Sequence, residues 1–250
     1  MTLSGAAWLG VAAFTAGAIN SVAGGGSFLT FPALILAGVP PIPANATNNF
    51  AMWFGTAAGA RGFKEEVRMY RHVLWPAIAV SVVGSLLGAA LLLRTPVRVF
   101  ALLIPFLLLF ATLIFALSPL FTKRRSHGAS VHTPVQLVAQ FIVSIYGGYF
   151  GAGIGFLMLA ILAFSGLPNL NAMNGLKNVL AMVINGVALV PFIAAGIIWW
   201  PQGLLMAICA LGGGYLGARA LKRLPQWLTR ALVIVLGCVM SVYFFWRLRA

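Results

Sequence analysis

The sequence has almost no acidic residues. Its 250 residues include only two carboxylate side chains, Glu65 and Glu66, and charged residues make up 7% of the chain. A soluble domain of ordinary composition carries about 25% charged residues. Hydrophobic residues instead make up 62% and the mean hydropathy is +1.02. Because several apolar runs approach the roughly 20 residues that cross a bilayer as a helix, we predict an all-α polytopic membrane protein.

Cysteine and histidine are scarce as well. Cys209 and Cys238 both lie in apolar runs, which favours small buried hydrophobic residues over a disulfide or a metal site. His72, His127 and His132 lie in or beside polar loops, and their spacing matches no metal site. The apolar segments also lack paired carboxylates and a Ser-His-Asp set. We therefore expect neither an enzyme nor a bound cofactor or metal.

The basic residues are concentrated in short loops between apolar runs. Eleven of the sixteen lie in residues 61–71, 123–125 and 219–230, and four lie in residues 94–98 and the C-terminal tail. This distribution places the first three loops in the cytoplasm by the positive-inside rule. It also explains the net charge of +14 without a nucleic-acid partner.

Two apolar stretches are interrupted by helix-breaking residues and polar side chains. The first runs from Gly24 to Asn49, and the second copies its pattern about 129 residues later. Lipid cannot satisfy the backbone groups that such breaks expose, so backbone of this kind faces a polar cavity. Interrupted segments at corresponding places in two halves point to the binding site of a transporter. The candidate substrate-binding residues are Gly24, Gly25, Gly26, Ser27, Asn45, Thr47, Asn48, Asn49, Gly153, Gly155, Asn174, Lys177 and Asn178.

The repeat divides the chain into an N-terminal membrane repeat over residues 1–121, a cytoplasmic linker over 122–134 and a C-terminal membrane repeat over 135–250. Each repeat has an odd number of crossings, whether its two short pieces cross the membrane or form a re-entrant hairpin. The halves therefore run in opposite directions. We predict two inverted-topology repeats whose short or broken helices, near 28–37 and 156–164, meet near the membrane centre.

Both interrupted stretches contain recognisable motifs. Gly-Gly-Gly-Ser-Phe-Leu-Thr-Phe-Pro at 24–32, with Ala-Asn-Ala-Thr-Asn at 44–48, resembles the first motif of the TauE/SafE family. Gly-Gly-Tyr-Phe-Gly-Ala-Gly at 147–153, with Asn-Gly-Leu-Lys-Asn at 174–178, resembles the second. The similarity covers essentially the whole chain. It implies a multi-pass transporter of the bacterial cell (inner) membrane, linked to export of sulfite and small organosulfonates.

Lys177 is the basic residue that lies inside an apolar stretch. An intramembrane lysine is costly and marks a functional site by default. We expect it in the first turn of its helix, where backbone N–H groups and the helix dipole favour a bound anion. Side-chain amides and hydroxyls would donate to the oxygens of that anion. Two plainer interpretations are a lysine that snorkels to the interface and asparagines that only cap helices and bridge breaks. Asn20, near the first break, is interpreted either as a structural hydrogen bonder or as a ligand.

The predicted function is export of a small sulfur-containing oxyanion, sulfite or an organosulfonate such as sulfoacetate, by alternating access. An anion channel of the same architecture and a transporter of a different small anion are the alternatives. Proton- and sodium-coupled carriers commonly use membrane-embedded carboxylates, which this chain lacks. We therefore expect passive or potential-driven transport, or coupling through protonation of the substrate. The expected partners are the anion and the lipid bilayer, and the sequence leaves the oligomeric state open, a homodimer included.

Overall fold

The structure is a computed structural model that describes residues 3–22, 24–122, 134–163, 167, 170–220 and 226–249. All regular structure in these ranges is helical, which confirms the predicted all-α fold. In chain order the helices are α1 (Leu3–Val22), α2 (Ser27–Leu36), α3 (Pro41–Arg61), α4 (Lys64–Met69), α5 (Arg71–Arg94), α6 (Val97–Thr122), α7 (Pro134–Tyr149), α8 (Ile154–Ala163), α9 (Leu170–Ala194), α10 (Trp200–Ala220) and α11 (Gln226–Arg249).

The described helices fall into long and short classes. Four of them contain spans that are long and apolar enough to cross a membrane: Leu3–Ser21, Leu74–Arg94, Val97–Ile114 and Asn171–Ala194. Helices α2 and α8 have ten residues each, a length of about 15 Å. That is half of a hydrocarbon core of about 30 Å, so each short helix reaches only partway across.

Glycine and proline set the ends of the short helix α2. At its C-terminus Gly38 has a positive φ of 85°. The Gly38 N–H donates to Ile35 O and the Val39 N–H donates to Leu34 O, both at 3.0 Å, which is the Schellman arrangement that terminates helices. Pro41 then opens α3 at a position where the missing N–H of proline costs nothing. Helix α3 consequently begins four residues before Asn45, the start predicted from the sequence.

The main helix contacts recur when both helices are replaced by their counterparts in the other half of the chain. Helix α1 packs on α10, and its counterpart α7 packs on α5. Likewise α3 packs on α10 and α9 on α5, while α3 contacts its own counterpart α9 and α6 contacts α11. A two-fold repeat requires this exchange relation. The opposite directions of the halves through a membrane stay a prediction, as do the boundaries of the two repeats.

Small residues allow the close helix pairs. A Cβ atom on Gly17 of α1 would lie 2.9 Å from the backbone nitrogen of Gly214 in α10, and one on Gly88 of α5 would lie 2.8 Å from the backbone nitrogen of Tyr149 at the end of α7. Glycine at such positions lets helix backbones approach directly, as in many membrane bundles. The α1–α10 pair and the α5–α7 pair are thus both brought close by glycine.

Several predictions concern the loops and the cysteines. The predicted linker lies between the end of α6 and the start of α7, and residues 123–133 are outside the described ranges, as are 221–225 of the basic loop at 219–230. The loop at 61–71 contains the short helix α4.

Both cysteines are free thiols. Cys209 is half-buried, but Cys238 is exposed on α11, so its predicted burial was wrong.

Candidate functional site

The two interrupted stretches meet at glycines. Gly24 follows the end of α1 and Gly151 follows the end of α7, with positive φ angles of 91° and 74° that reverse the chain. The N-terminal ends of α2 and α8 then lie against each other. A Cβ atom on Gly24 would be 2.7 Å from the Cα of Gly155, which no side chain could tolerate. The turn before α2 is therefore in direct backbone contact with the first turn of α8, while the predicted meeting near the membrane centre stays a prediction.

The two longer helices that follow, α3 and α9, pack against each other and carry matching polar faces. Residues spaced by four or seven positions lie on one face of a helix. Asn45, Asn49 and Thr56 have this spacing on α3, and Asn174, Asn178 and Asn185 repeat it on α9. All six are buried.

Lys177 is 1% exposed and points at the end of another helix. Its Nζ donates to the backbone carbonyl of Asn20 at 3.0 Å and lies 3.5 Å from that of Ser21. These carbonyls belong to the last turn of α1, where the helix dipole is negative and favours a cation. Lys177 is the eighth residue of α9, so the prediction that it lies in the first turn of its helix was wrong. Its burial also excludes a lysine that snorkels to an interface.

Donors from each half cap a helix of the other half. Beside Lys177, the Asn178 amide donates through Nδ2 to the Ser21 carbonyl of α1 at 3.1 Å. On the opposite side, Asn45 of α3 donates through Nδ2 to the Tyr149 carbonyl at the end of α7 at 3.0 Å. A helix leaves its last carbonyls without intrahelical partners. The capping interpretation therefore holds for the Nδ2 groups of these two asparagines.

A small enclosed cavity lies where α1, α2, α7, α8, α3 and α9 converge. It leaves about 10 Å³ for the centre of a water molecule, which is room for about one water. A sulfur oxyanion does not fit unless the surrounding helices move. The described lining residues are Asn20, Gly24, Ser27, Met52, Thr56, Gly151, Ile154, Gly155, Lys177, Asn178, Ala181 and Asn185.

The groups around this cavity favour a negative charge. Lys177 is the one ionisable side chain among the described lining residues, and the N-terminal ends of α2 and α8, whose dipoles are positive there, contribute Ser27, Ile154 and Gly155 to its lining. Within the described residues, no carboxylate lies at ion-pair distance from Lys177. Short helices whose N-termini point at a central site hold anionic groups in several transporter folds. The helix N-termini that favour an anion here are therefore those of α2 and α8, and not that of α9 as predicted.

Four buried amide oxygens have no hydrogen-bond partner among the described residues: the Oδ1 atoms of Asn45, Asn49, Asn174 and Asn178. They form two pairs at equivalent positions of α3 and α9. Most buried polar atoms in proteins have a partner, so such exceptions need an explanation. Asn178 is the one of the four that lines the cavity.

The remaining predicted residues surround the cavity or make contacts elsewhere. The Thr47 hydroxyl oxygen accepts from the backbone N–H of Trp199 at 3.0 Å, and Asn48 Oδ1 accepts from the Thr30 hydroxyl. The Gly26 N–H donates to Asn20 Oδ1 at 3.4 Å. Of the predicted set, Gly24, Ser27, Gly155, Lys177 and Asn178 line the cavity, whereas Gly25, Gly26, Asn45, Thr47, Asn48, Asn49, Gly153 and Asn174 are outside its lining.

Two polar residues of the lining, Thr56 and Asn185, are not among the predicted site residues. Each lies seven residues after a predicted asparagine, Asn49 or Asn178, on the same helix face. Helical periodicity extended by two turns would have included both. The apolar lining residues Met52 and Ala181 carry no such signal.

Interrupted helices in matched positions around a buried cavity are typical of polytopic membrane transporters. Comparison with known proteins gives the family. Residues 9–244 match the family model described as "Sulfite exporter TauE/SafE", and the chain belongs to this family.

Relatives with similar lengths support this assignment. The chain is 30% identical over 237 residues to a "Probable membrane transporter protein ORF9" of Sinorhizobium sp., which covers 94% of this chain and 90% of the relative. It is 32% identical over 232 residues to "Probable membrane transporter protein YfcA" of Escherichia coli K12, covering 92% and 85%. No solved structure matches. The protein is thus a multi-pass membrane transporter and not an enzyme.

Proposed function

We propose that this transporter exports a small sulfur-containing oxyanion, sulfite or an organosulfonate such as sulfoacetate, across the inner membrane by alternating access. The observation that carries the proposal is Lys177. It is a buried cation that lines a cavity, and the two carboxylate side chains of the chain are on the short helix α4. The α1 carbonyls solvate its ammonium group but bring no full negative charge. A bound anion supplies that charge.

The donors around the cavity support an oxyanion. An ammonium group has three N–H donors, and two carbonyl acceptors are in place at Lys177. The hydroxyl of Ser27 and the amide of Asn185 also line the cavity and can donate to oxygens, whereas the Thr56 hydroxyl donates to the Trp53 carbonyl at 2.8 Å. The N-terminal ends of α2 and α8 add their dipoles. Together these groups suit a compact ligand with several acceptor oxygens.

Two features support alternating access over a channel. The exchange relation between the halves fits a mechanism in which one half takes the conformation of the other, as in inverted-repeat transporters. The cavity has room for only about one water, so passage of an anion requires helix movement. A continuous pore would need no such movement.

The driving force follows from the charge of the substrate. A membrane potential that is negative inside drives each exported negative charge with about 2.3 kcal/mol per 100 mV. No carboxylate lies in the predicted membrane segments to couple a proton or sodium gradient. Export is therefore driven by the potential and the substrate gradient, or coupled to a proton that travels on the substrate.

A thermal-unfolding assay of the purified protein tests the binding part of this proposal. Sulfite, sulfate, thiosulfate, sulfoacetate and acetate are titrated against the wild type, Lys177→Gln and the control Lys64→Gln, whose lysine is exposed on α4. A ligand at 100 times its Kd stabilises the folded state by about 2.7 kcal/mol. We expect a sulfur oxyanion to give this stabilisation in the wild type and in Lys64→Gln, but not in Lys177→Gln. Equal responses of all three proteins would contradict the proposal.

A further inference from the structure

We infer that the Met52 side chain limits the size of the anion that the cavity at Lys177 accepts. The inference rests on the proposed anion site and deepens it, because it names the residue that must make room for the carbon group of an organosulfonate. Sulfite has no carbon group, so it requires the smallest enlargement of the cavity.

The lining of the cavity combines polar groups with a few apolar side chains. The described lining residues with apolar side chains are Met52 of α3, Ile154 of α8 and Ala181 of α9. The carbon group of a ligand gains free energy when it is buried against such surface, whereas sulfonate oxygens need hydrogen-bond donors. An organosulfonate therefore places its oxygens toward Lys177 and its carbon group toward these three residues.

Hydrogen bonds hold four of the polar lining residues in place. Lys177 and Asn178 donate to carbonyls at the end of α1, at 3.0 and 3.1 Å. Asn20 Oδ1 accepts from a backbone N–H of the break after α1 at 3.4 Å, and the Thr56 hydroxyl donates to a carbonyl three residues earlier at 2.8 Å. Moving one of these side chains outward breaks a buried hydrogen bond, which is unfavourable. Enlarging the cavity at these residues is therefore costly.

Backbone contact and close packing hold other parts of the lining. A Cβ atom on Gly24 would lie 2.7 Å from the Cα of Gly155, so these two backbones touch. The Cδ1 atom of Ile154 occupies the place that a Cβ atom on Gly147 would need, so Ile154 packs tightly against α7. Ala181 has only a methyl group and cannot withdraw. At these positions the cavity enlarges only if whole helices move.

Met52 can make room by a change of its own side chain. It is 2% exposed and belongs to an apolar cluster with residues of α1, α2 and α10. Methionine is unbranched, has three rotatable bonds and adapts to irregular apolar space. The closed cavity has room for about one water. The position of the Met52 side chain therefore decides how large a carbon group fits.

The position equivalent to Met52 in the second half carries a smaller side chain. Met52 lies three residues after Asn49 on α3, and Ala181 lies three residues after Asn178 on α9. Both line the same cavity. A larger residue in place of Ala181 should therefore have the opposite effect to a smaller residue in place of Met52.

A series of alkanesulfonates separates size from charge. Methanesulfonate, ethanesulfonate and propanesulfonate have the same charge and differ only in methylene groups. Their binding to the purified protein is measured by titration calorimetry, and the Kd of propanesulfonate is divided by that of methanesulfonate. One methylene group changes binding in an apolar pocket by about 10- to 200-fold. We therefore expect this ratio to be at least about tenfold lower in Met52→Ala than in the wild type.

Three further variants assign the change to the volume at Met52. Met52→Leu nearly conserves the volume and should keep the wild-type ratio. Met206→Ala is the matched control, because it removes the same atoms from a buried methionine of α10 outside the described lining, and it should also keep the ratio. Ala181→Val fills part of the cavity and should raise the ratio, which decides the inference even if Met52→Ala does not fold.

The outcomes separate this inference from the proposed function. A wild-type ratio in Met52→Ala, with methanesulfonate binding lost only in Lys177→Gln, would overturn the size assignment and leave the anion site standing. An equal fall of the ratio in Met206→Ala would also overturn the assignment, because a general loss of packing would then explain it. No binding of any anion to the wild type, sulfite included, would overturn the proposed function together with the inference.

Discussion

The contact between the turn before α2 and the first turn of α8 predicts a specific cost for one added methyl group. A Cβ atom on Gly155 would lie 2.5 Å from the Cα of Gly24, whereas ordinary contacts begin at 3.4 Å. The Gly155→Ala variant must therefore separate the two helix ends by about 0.9 Å. Overpacking of this kind costs about 1–3 kcal/mol. Because Gly155 is inside α8, alanine also returns up to about 1 kcal/mol of helix propensity.

With a clash of about 2 kcal/mol, the middle of that range, and a return of up to about 1 kcal/mol, the net loss is about 1–2 kcal/mol, which corresponds to a Tm lower by roughly 2–8 °C for a chain of this size. Thermal unfolding in detergent measures the loss directly. The same separation moves the N-terminal ends of α2 and α8 away from the anion, so we also expect a smaller Tm increase on addition of sulfite than in the wild type.

Gly212→Ala provides the matched control. Gly212 is in the middle of α10, and a Cβ atom there would have its nearest neighbour, a ring carbon of Phe14, at an ordinary distance of 3.8 Å. Its Tm should equal or slightly exceed that of the wild type, since alanine favours the helix. If Gly155→Ala melts like Gly212→Ala and responds normally to sulfite, the close approach of the two short helices is refuted.

Three further predictions concern capping, packing and sidedness. Asn45→Leu removes the donor to the Tyr149 carbonyl and should lower the free energy of unfolding by about 1–3 kcal/mol, while an unchanged Tm would show that the cap is dispensable. Gly17→Ala forces α1 away from α10 and should cost about 1–3 kcal/mol in the same assay without changing which anion is preferred; a shifted preference would contradict the packing role. In a cysteine-free background, an impermeant thiol reagent added outside cells should modify Val97→Cys but not Glu65→Cys, and modification of both from one side would contradict the predicted topology.

The order of helices could be predicted from the sequence, because membrane-spanning segments are recognised by their apolar composition and their length. The uncharged run over residues 3–22 predicts a helix, and α1 has those bounds. The breaks after α1 and α7 were also predicted, since Gly24 and Gly151 are the residues that adopt positive φ with little strain. The start of α3 was missed, although Pro41 is typical of a first helical position. The prolines there were interpreted only as breaks.

The partners of the polar residues could not be predicted from local sequence. The Lys177 ammonium donates to a carbonyl 157 residues away. Its place in α9 depends on the helix start at Leu170, whereas the sequence pattern predicts a start near Ala172. Thr47 and Asn48 were predicted to bind substrate like their neighbours, but each has a partner outside the cavity. Side chains within one motif point in different directions around a helix, so tertiary packing decides which of them face the site.

The central claim is that a small oxyanion crosses the membrane through the cavity at Lys177. Counterflow of radiolabelled sulfite into proteoliposomes preloaded with unlabelled sulfite tests it most directly. We expect saturable counterflow with the wild type and with Lys64→Gln, and at least a tenfold loss with Lys177→Gln, the equivalent of about 1.4 kcal/mol in affinity. Counterflow by Lys177→Gln at the wild-type rate would contradict the claim, and flux that rises linearly with concentration would contradict alternating access.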